Sequence, residues 1–595
     1  MDAFLNVERS ALGRRWVGPG AETERLGLAI AQRLGAPEMV GRVLAARGVA
    51  PEAAAAYLAP TLRELMPDPS VLRDMDLAAD RLARAARTGE TVGLFGDYDV
   101  DGAASCALLV RWLRAMGIAA KVHIPDRMTE GYGPNVPAMQ ALAAECSLIL
   151  CLDCGTLAHE PIAAAVEAGA EVLVIDHHLG GDTLPPALAV VNPNRQDESG
   201  EHGALCAAGV AFLLLVAANR TLRAQGVAGP DLMGLLDLVA LATVADVAPL
   251  TGLNRALVRQ GLKVMARRGR PGLAALADAA RLTCAPAAYH LGYVLGPRIN
   301  AAGRVGASSL GTRLLATDDL SEAQALAERL EDLNKSRREV EAGVLDAALM
   351  QAEARGVDGP LVWVAGEGWH PGVAGIVASR LKERFDRPAV VIALAGAQGS
   401  GSCRSVPGVD IGADVAALAA EGLILKGGGH RMAAGLTLRT DGLEAAMARL
   451  SERLGRQGAG QSGAQDLRLD GALSPGGATP DLVEMLEAAG PYGAASPAPR
   501  FALAGVRAGF AKPMGEGHLR LRLQGAGGSI DAVAFRVADT PLYAALAQSA
   551  GTVLHVAGRL ETDDWGGRRR ARLRGRRARR GQTLMFTIMR MNTML

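Results

Sequence analysis

The sequence predicts a multidomain α/β protein, with two α/β units joined by a long helix and a small β domain after them. Three observations carry that prediction. Short β-rich runs recur between Thr91 and Ile175 with Ala/Leu-rich helical stretches between them, at the spacing of about 25 residues expected of right-handed βαβ units and a parallel sheet. Two further runs, Leu361–Ala365 and Ala389–Leu394, follow a long helical stretch. Near the end, Leu519, Leu521 and Leu523 alternate with Arg520, Arg522 and Gln524, which is the period of a half-buried strand with a cationic outer face.

Taken in order, residues 1–75 are helical in pattern and punctuated by Pro51, Pro60 and Pro67. The first α/β domain, 76–316, contains the runs Thr91–Phe95, Lys121–Ile124, Ser147–Leu152 and Glu171–Ile175. A connecting helix over 317–356 places Leu326, Leu330, Leu333, Val340 and Val344 along one stripe, the pattern of a helix packed against its neighbours. The second α/β domain spans 357–454 and includes the glycine-dense stretch Gly427-Gly428-Gly429-His430. Residues 455–465 are rich in Gly, Gln and Ser and read as a linker. The runs Ile530–Phe535 and Thr552–Val556 continue the alternating pattern, giving a β domain over 466–565. Residues 566–595 change character, to an arginine block and then a Met-rich end.

The 595 residues include 63 Lys+Arg and 62 Asp+Glu, a formal charge of +1. That balance conceals an asymmetry. Nine arginines lie between Arg568 and Arg580, leaving 54 cations against 62 acids elsewhere. No global basic field advertises a nucleic-acid partner. Seven cysteines in so long a chain, mostly in apolar runs, do not make a disulfide scaffold. Cys151 and Cys154 form a CxxC that no second pair completes as a zinc site. The N-terminal MDAFLNVERS lacks an apolar h-region. The longest uncharged run, Gly203 to Ala218, falls short of the roughly 18 residues of a membrane span and reads as a buried helix. A soluble, cytoplasmic protein without membrane association is expected.

The chemistry sits where the strands of the first sheet end. Thr91–Phe95 runs into Gly96-Asp97-Tyr98-Asp99-Val100-Asp101-Gly102, Ser147–Leu152 into Asp153-Cys154-Gly155, and Glu171–Ile175 into Asp176-His177-His178. In open parallel sheets the ligand crevice lies outside the carboxyl ends of the strands, so three strands deliver five aspartates and two histidines to one edge. That many anions repel and perturb one another unless cations sit among them, and carboxylate and imidazole donors suit Mn²⁺ or Mg²⁺. Asp246, after the apolar run Leu235–Leu241, is a further acid that by itself reads as a helix end. Tyr132 and Asn135 lie in a Gly-Tyr-Gly-Pro-Asn turn and could stack on or bond a nucleotide, or simply make the turn.

GDYDVDG, LDCG, DHH and TVADVAPL, in this order and spacing, resemble the four phosphoesterase motifs of the DHH superfamily. The likeness continues in GPRINAAGR (Gly296–Arg304), WHPGVAGIVASRL (Trp369–Leu381) and GGGHRMAAG (Gly427–Gly435). The whole set, over about residues 75–560, is similar to the RecJ family of single-strand-specific 5′→3′ DNA exonucleases. The resemblance implies a parallel-sheet DHH domain, a DHH-associated domain and an OB-like β-barrel. It implies Asp97, Asp99, Asp101, Asp153, His177 and Asp246 as ligands of two Mn²⁺ or Mg²⁺ ions, with His178 in support. Asp99, Asp101, Asp153, His177 and His178 form the catalytic set. Many superfamily phosphodiesterases carry a histidine where this chain has Phe95, and Asp97 is expected to supply the missing ligand. Arg304, Arg380, Arg404 and His430 match positions that hold DNA phosphates, and Gly428 and Gly429 could cradle one through their backbone N–H groups. Arg380, two turns into a helix, reads equally as a salt-bridge partner. The implied activity is two-metal hydrolysis of single-stranded DNA from the 5′ end to mononucleotides, in recombination and repair. Helicase and single-strand-binding partners and a monomeric chain are expected with it. The alternative is a DHH phosphodiesterase of short oligonucleotides or cyclic dinucleotides, for which the additional β domain has no evident use.

Overall fold

The computed structural model describes residues 2–127, 129–460, 466–515, 517–538, 540–563, 569–576 and 588–590. The chain packs as two units, one made of 60–339 with 491–497, the other of 1–59, 340–490 and 498–595.

The first unit is built on five parallel strands: β1 (Val92–Gly96), β2 (Ala120–His123), β3 (Leu148–Leu152), β4 (Glu171–Ile175) and β5 (Ala189–Val191). Their order across the sheet is β2-β1-β3-β4-β5. Strands β1, β3 and β4 are almost continuously apolar, as burial on both faces requires. Leu94, Leu150 and Leu173 point into the core beneath helices α1 (Met75–Thr88), α2 (Val100–Ala115), α3 (Ala207–Ala224) and α4 (Leu236–Ala245). Phe95, Ile149 and Val174 alternate to the opposite face and pack with Met139 and Ile162. The order reverses at β1, which puts a topological switch point between the carboxyl ends of β1 and β3. Helix α3 is the one described helix long and apolar enough to cross a membrane, and two-thirds of it is buried within this unit. The three-residue β5 is absent from the sequence reading; it is too short to show a period.

Helix α5 (Leu320–Arg355) runs unbroken for 36 residues. Its first half contributes Leu326, Leu330 and Leu333 to the first core, and its second half contributes Val344, Ala348 and Ala352 to another. The second unit holds a five-stranded sheet of β6 (Val362–Glu367), β7 (Ala389–Ala395), β8 (Gln398–Arg404), β9 (Lys426–His430) and β10 (Ala433–Arg439), in the order β9-β10-β8-β7-β6. The glycine-dense stretch is the edge strand β9, paired antiparallel with β10. The N-terminal segment is helical except for Arg15–Val17, a strand paired in parallel with Asp466–Arg468 that carries the fully buried Trp16.

In the β domain, β11 (Phe501–Met514), β12 (His518–Gly525), β13 (Gly528–Phe535), β14 (Val553–Asp563) and β15 (Arg570–Arg576) pair in succession as β11-β12-β13-β15-β14, and β14 pairs again with β11. Leu519, Leu521 and Leu523 are buried and their arginine neighbours face out, with Arg522 on Asp531 at 2.8 Å. Strand β15 falls inside the stretch set apart by its arginines. Leu573 is buried, while Arg572 and Arg574 on the other face pair with Glu561. Trp565, Arg568, Arg577–Arg580 and most of the Met-rich end lie outside the described residues, as does 461–465 of the linker.

Candidate metal centre

The loop after β1 turns back on itself because Gly102 has no side chain: a Cβ there would stand 2.4 Å from the Asp97 carbonyl oxygen. Asp99 caps helix α2, its carboxylate accepting from the N–H groups of Asp101 at 2.8 Å and Gly102 at 3.2 Å. Asp101, 1% exposed, accepts from the N–H groups of Ala207 at 2.7 Å and Ala208 at 2.9 Å. Those donors are the orphan amides of the first turn of α3, and the helix dipole favours a carboxylate there.

From β3, Asp153 enters with φ +63°, in the left-handed region. From β4 comes His177, whose Nε2 lies 3.2 Å from Asp153 Oδ1 and 3.7 Å from Asp101 Oδ2. Its Nδ1 lies 3.9 Å from Asp246 Oδ2, at the end of α4. Three overlapping groups therefore have donor atoms close enough to share an ion: Asp97–Asp99–Asp153, Asp101–His177–Asp246 and Asp153–His177–His178. Asp153 and His177 each belong to two of them.

The electrostatics of this cluster test whether a cation fits. Burial and then the charge of Asp99 push the Asp97 carboxyl well above its usual range. Burial, reinforced by Asp101 and Asp99, does the same at Asp153. Asp101 is raised by burial against the opposing effect of His177, and Asp246 is pushed up to about 8 by burial and by Asp101 and Asp99. Among the described residues, the buried Asp97 Oδ1 and Asp153 Oδ1 have no hydrogen-bond partner. Unsatisfied buried carboxylate oxygens facing imidazole are costly unless a cation completes them. The donors are oxygen and nitrogen, which Mn²⁺ and Mg²⁺ accept.

His178 turns away from these ligands toward Asp176, Nδ1 donating to Oδ1 at 2.7 Å. Burial opposes its protonation, but Asp176 outweighs it and raises the imidazole to about 9. The same effect reversed, His178 overcoming burial, depresses Asp176. Tyr132 Oη lies 3.1 Å from His178 Nε2, with its ring more than half exposed. Asn135, by contrast, is a helix cap: Oδ1 accepts from the Ala138 N–H at 3.0 Å and Nδ2 donates to Glu130. Phe95 is fully buried and stacked on His123, 5.3 Å between ring centres.

Sequence reading counts Asp176 among the strand-end acids without a separate role and assigns none to Thr156, Asn192 or Asn194, yet these hold the histidines in place. Asp176 accepts from the N–H groups of His177 and His178 and from Thr156 Oγ1. Asn192 and Asn194 donate to the carbonyls of His178 at 2.8 Å and His177 at 2.6 Å. Their signal is slight: Asn-Pro-Asn directly after the short apolar run of β5.

The cationic residues divide between the units. In the first unit, Arg304 lies in the helix Gly296–Val305, whose Gly303 rests on the metal-side loop: a Cβ there would meet the Tyr98 carbonyl oxygen at 2.8 Å. In the second unit, His430, Ala433 and Arg404 are cross-strand partners in one row of β9, β10 and β8, so their side chains share a face. The Arg404 guanidinium crosses Gly375, where a Cβ would approach Nη2 to 2.9 Å. Arg380 is held by Glu341 at 3.3 Å and Glu383 at 3.7 Å. Gly428 and Gly429 sit in β9, Gly429 at φ +153° with no room for a Cβ against Ala433.

A doubly wound sheet with carboxylates and imidazoles gathered at its switch point defines a DHH-type phosphoesterase. Residues 91–243 match the DHH family N-terminal domain, 358–456 the DHHA1 domain and 469–576 the RecJ OB domain. The chain is 39% identical over 528 residues to the single-stranded-DNA-specific exonuclease RecJ of Escherichia coli, covering 85% of this chain and 90% of that protein. It is 37% identical over 531 residues to RecJ of Thermus thermophilus, covering 88% and 74%. The crystal structure of RecJ in complex with Mn²⁺ from Thermus thermophilus superposes with a TM-score of 0.79 at 32% identity, over 94% of this chain and 78% of that one. The corresponding Mg²⁺ complex gives 0.73 at 31%, over 94% and 77%. The chain belongs to the RecJ family of single-stranded-DNA-specific exonucleases.

Proposed function

We propose that this protein is a metal-dependent exonuclease that degrades single-stranded DNA from the 5′ end to 5′-mononucleotides, in recombination and repair. The observation that carries the reading is the convergence of Asp97, Asp99, Asp101, Asp153, His177 and Asp246, with buried Asp97 and Asp153 oxygens that accept no hydrogen bond. Asp97, Asp99 and Asp153 would hold one Mn²⁺ or Mg²⁺ ion and Asp101, His177 and Asp246 a second, with Asp153 beside His177 of that second group. Two ions so held would supply an activated water and would neutralise the charge that builds on phosphorus.

The chain's own residues do the rest. The amides of Ala207 and Ala208 fix Asp101, and Asp176 fixes His178 as a cation at neutral pH, with Nδ1 committed to Asp176 and Nε2 turned to Tyr132. His178 then donates through Nε2 to the Tyr132 hydroxyl, which is left to donate to a phosphate oxygen or the sugar beside it. Arg304, Arg404, Arg380 and His430 are assigned to backbone and terminal phosphates, with Gly428 and Gly429 allowing close approach along β9. Asn135 acts by holding the Tyr132 turn. The OB domain, with Arg520 and Arg522 outward, suits a polymeric strand more than a dinucleotide. A helicase, a single-strand-binding protein, a monomeric state and a cytoplasmic location complete the reading.

The deciding experiment uses Asp153→Asn on 5′- and 3′-labelled single strands with Mn²⁺. Loss of at least about 100-fold in rate is expected, with the wild type releasing mononucleotides from the 5′ end. Near-normal turnover by a folded variant, or release from the 3′ end, would overturn the assignment. Equal rates on a dinucleotide and a long strand would favour the short-substrate alternative.

A further inference from the structure

We propose that Glu130 is a positioning residue for substrate binding: its carboxylate fastens the turn Glu130–Asn135 so that the Tyr132 hydroxyl stands at His178. This rests on the proposed function, in which that hydroxyl donates to the substrate. Tyr132 lies between Gly131 at φ +87° and Gly133 at φ +76°, a left-handed backbone that glycine adopts without strain but with a large loss of chain freedom. Among the described residues, no atom beyond their chain neighbours lies within 4 Å of where a Cβ on either glycine would stand. The Tyr132 ring itself is more than half exposed. The place of the turn is therefore set by side chains at its ends.

Glu130 is the side chain that joins them. One carboxylate oxygen accepts from the Asp126 N–H at 2.8 Å. Glu130 returns its own N–H to the Asp126 carbonyl at 2.8 Å, and the Gly131 N–H donates to the same oxygen at 3.2 Å. The other carboxylate oxygen accepts from Asn135 Nδ2 at 3.1 Å, which closes the far end of the turn, and meets His123 Nε2 at 2.9 Å. Burial opposes the charge, but the Asp126 N–H, His123 and Asn135 together hold the carboxyl below its usual range. An ionised carboxylate only accepts, so His123 Nε2 carries the proton and donates. One side chain thus ties both ends of the turn to the end of β2.

His123 is held in its turn by Phe95. The two rings are stacked, 5.3 Å between centres and 26° between planes, and Phe95 is fully buried. A side chain that cannot bind a metal thereby supports the turn from β1. At the other end, Tyr132 meets the Tyr98 ring edge-on, 6.3 Å between centres, and its hydroxyl lies 3.1 Å from His178 Nε2. Phe95, His123 and Glu130 form a line of contacts from the sheet to that hydroxyl, and none of the three belongs to the groups that could share an ion. Loss of Glu130 frees the hydroxyl and leaves the ligands in place.

The test uses the full chain with Mn²⁺ and a 5′-phosphorylated single strand, comparing Glu130→Ala, Glu130→Gln, Tyr132→Phe and the double variant of Glu130→Ala with Tyr132→Phe. Glu130→Ala should raise KM about tenfold with kcat within about threefold of wild type, the pattern of lost binding that substrate and transition state share. Glu130→Gln keeps one accepting oxygen and should raise KM only about threefold. Tyr132→Phe should match Glu130→Ala, and the double variant should be no worse than either, because both remove the same contact. Mn²⁺ affinity should stay within about twofold in every variant, as expected of sites that share no partner. Hydrogen-exchange mass spectrometry should show the peptide covering the turn exchanging at least about tenfold faster in Glu130→Ala. Multiplied losses in the double variant, or a matching loss of Mn²⁺ affinity, would overturn the positioning role. Unchanged exchange at the turn would overturn the fastening whether or not the chain degrades DNA. Inactivity of the wild type on single strands would count against the proposed function alone.

Discussion

Asp97, Asp101, Asp153 and Asp246 share one predicament: each is a carboxylate placed where a carboxyl is easier to keep. Their raised values mean that the metal-free protein holds protons which an ion must displace. Mn²⁺ affinity is therefore expected to rise steeply with pH up to about 8, where Asp246 titrates. Calorimetry in buffers of different ionisation heat should show proton release on binding at pH 6.5 that shrinks by pH 9; release independent of pH would contradict it. Gly303 makes a second test at this scale. Gly303→Ala drives a methyl toward the Tyr98 carbonyl and should cost about 1–3 kcal/mol as an overpacked contact. Its activity loss should exceed its stability loss, because Asp97 and Asp99 flank Tyr98.

Elements matter here for what their ends deliver. Strands β1, β3 and β4 were legible because buried parallel strands read as apolar runs, and an acid directly after such a run stands out. Their supports were not legible. Asn192 and Asn194 act through backbone carbonyls, and Asn-Pro-Asn after a three-residue strand is indistinguishable from an ordinary turn. Asn194→Ala is expected to leave fold and melting midpoint nearly intact while lowering Mn²⁺ affinity about 10–100-fold, the usual effect of removing an outer partner of a ligand. Strand β9 was not legible for a related reason: three glycines carry no side-chain period, so only its pairing with β10 reveals it. Strand β15 alternates arginine with small residues, and composition hides that Leu573 is buried. Ending the chain at Asp563 should unpair β13 and β14 on that side. Weakened single-strand binding with unchanged Mn²⁺ binding is expected, and equal loss of both would show that β15 serves the metal-bearing unit.

At the scale of the molecule, every assigned metal ligand belongs to the unit of 60–339. A fixed Mn²⁺ concentration of about 100 times the Kd at pH 8 should stabilise that unit by about 2.7 kcal/mol there, and by less at pH 6, since protons compete below Asp246's value of about 8. A scanning calorimetry trace in which Mn²⁺ left every transition in place would refute it. The near-neutral total charge also acquires a meaning. Arg572 and Arg574 of β15 pair with Glu561 and Asp563, so these two cations neutralise acids within the β domain itself. The left-handed backbone of Asp153 has one more consequence. Glycine would relax that conformation and remove a buried carboxyl oxygen that has no hydrogen-bond partner, so Asp153→Gly should fold more stably without metal by about 1–2 kcal/mol while abolishing hydrolysis.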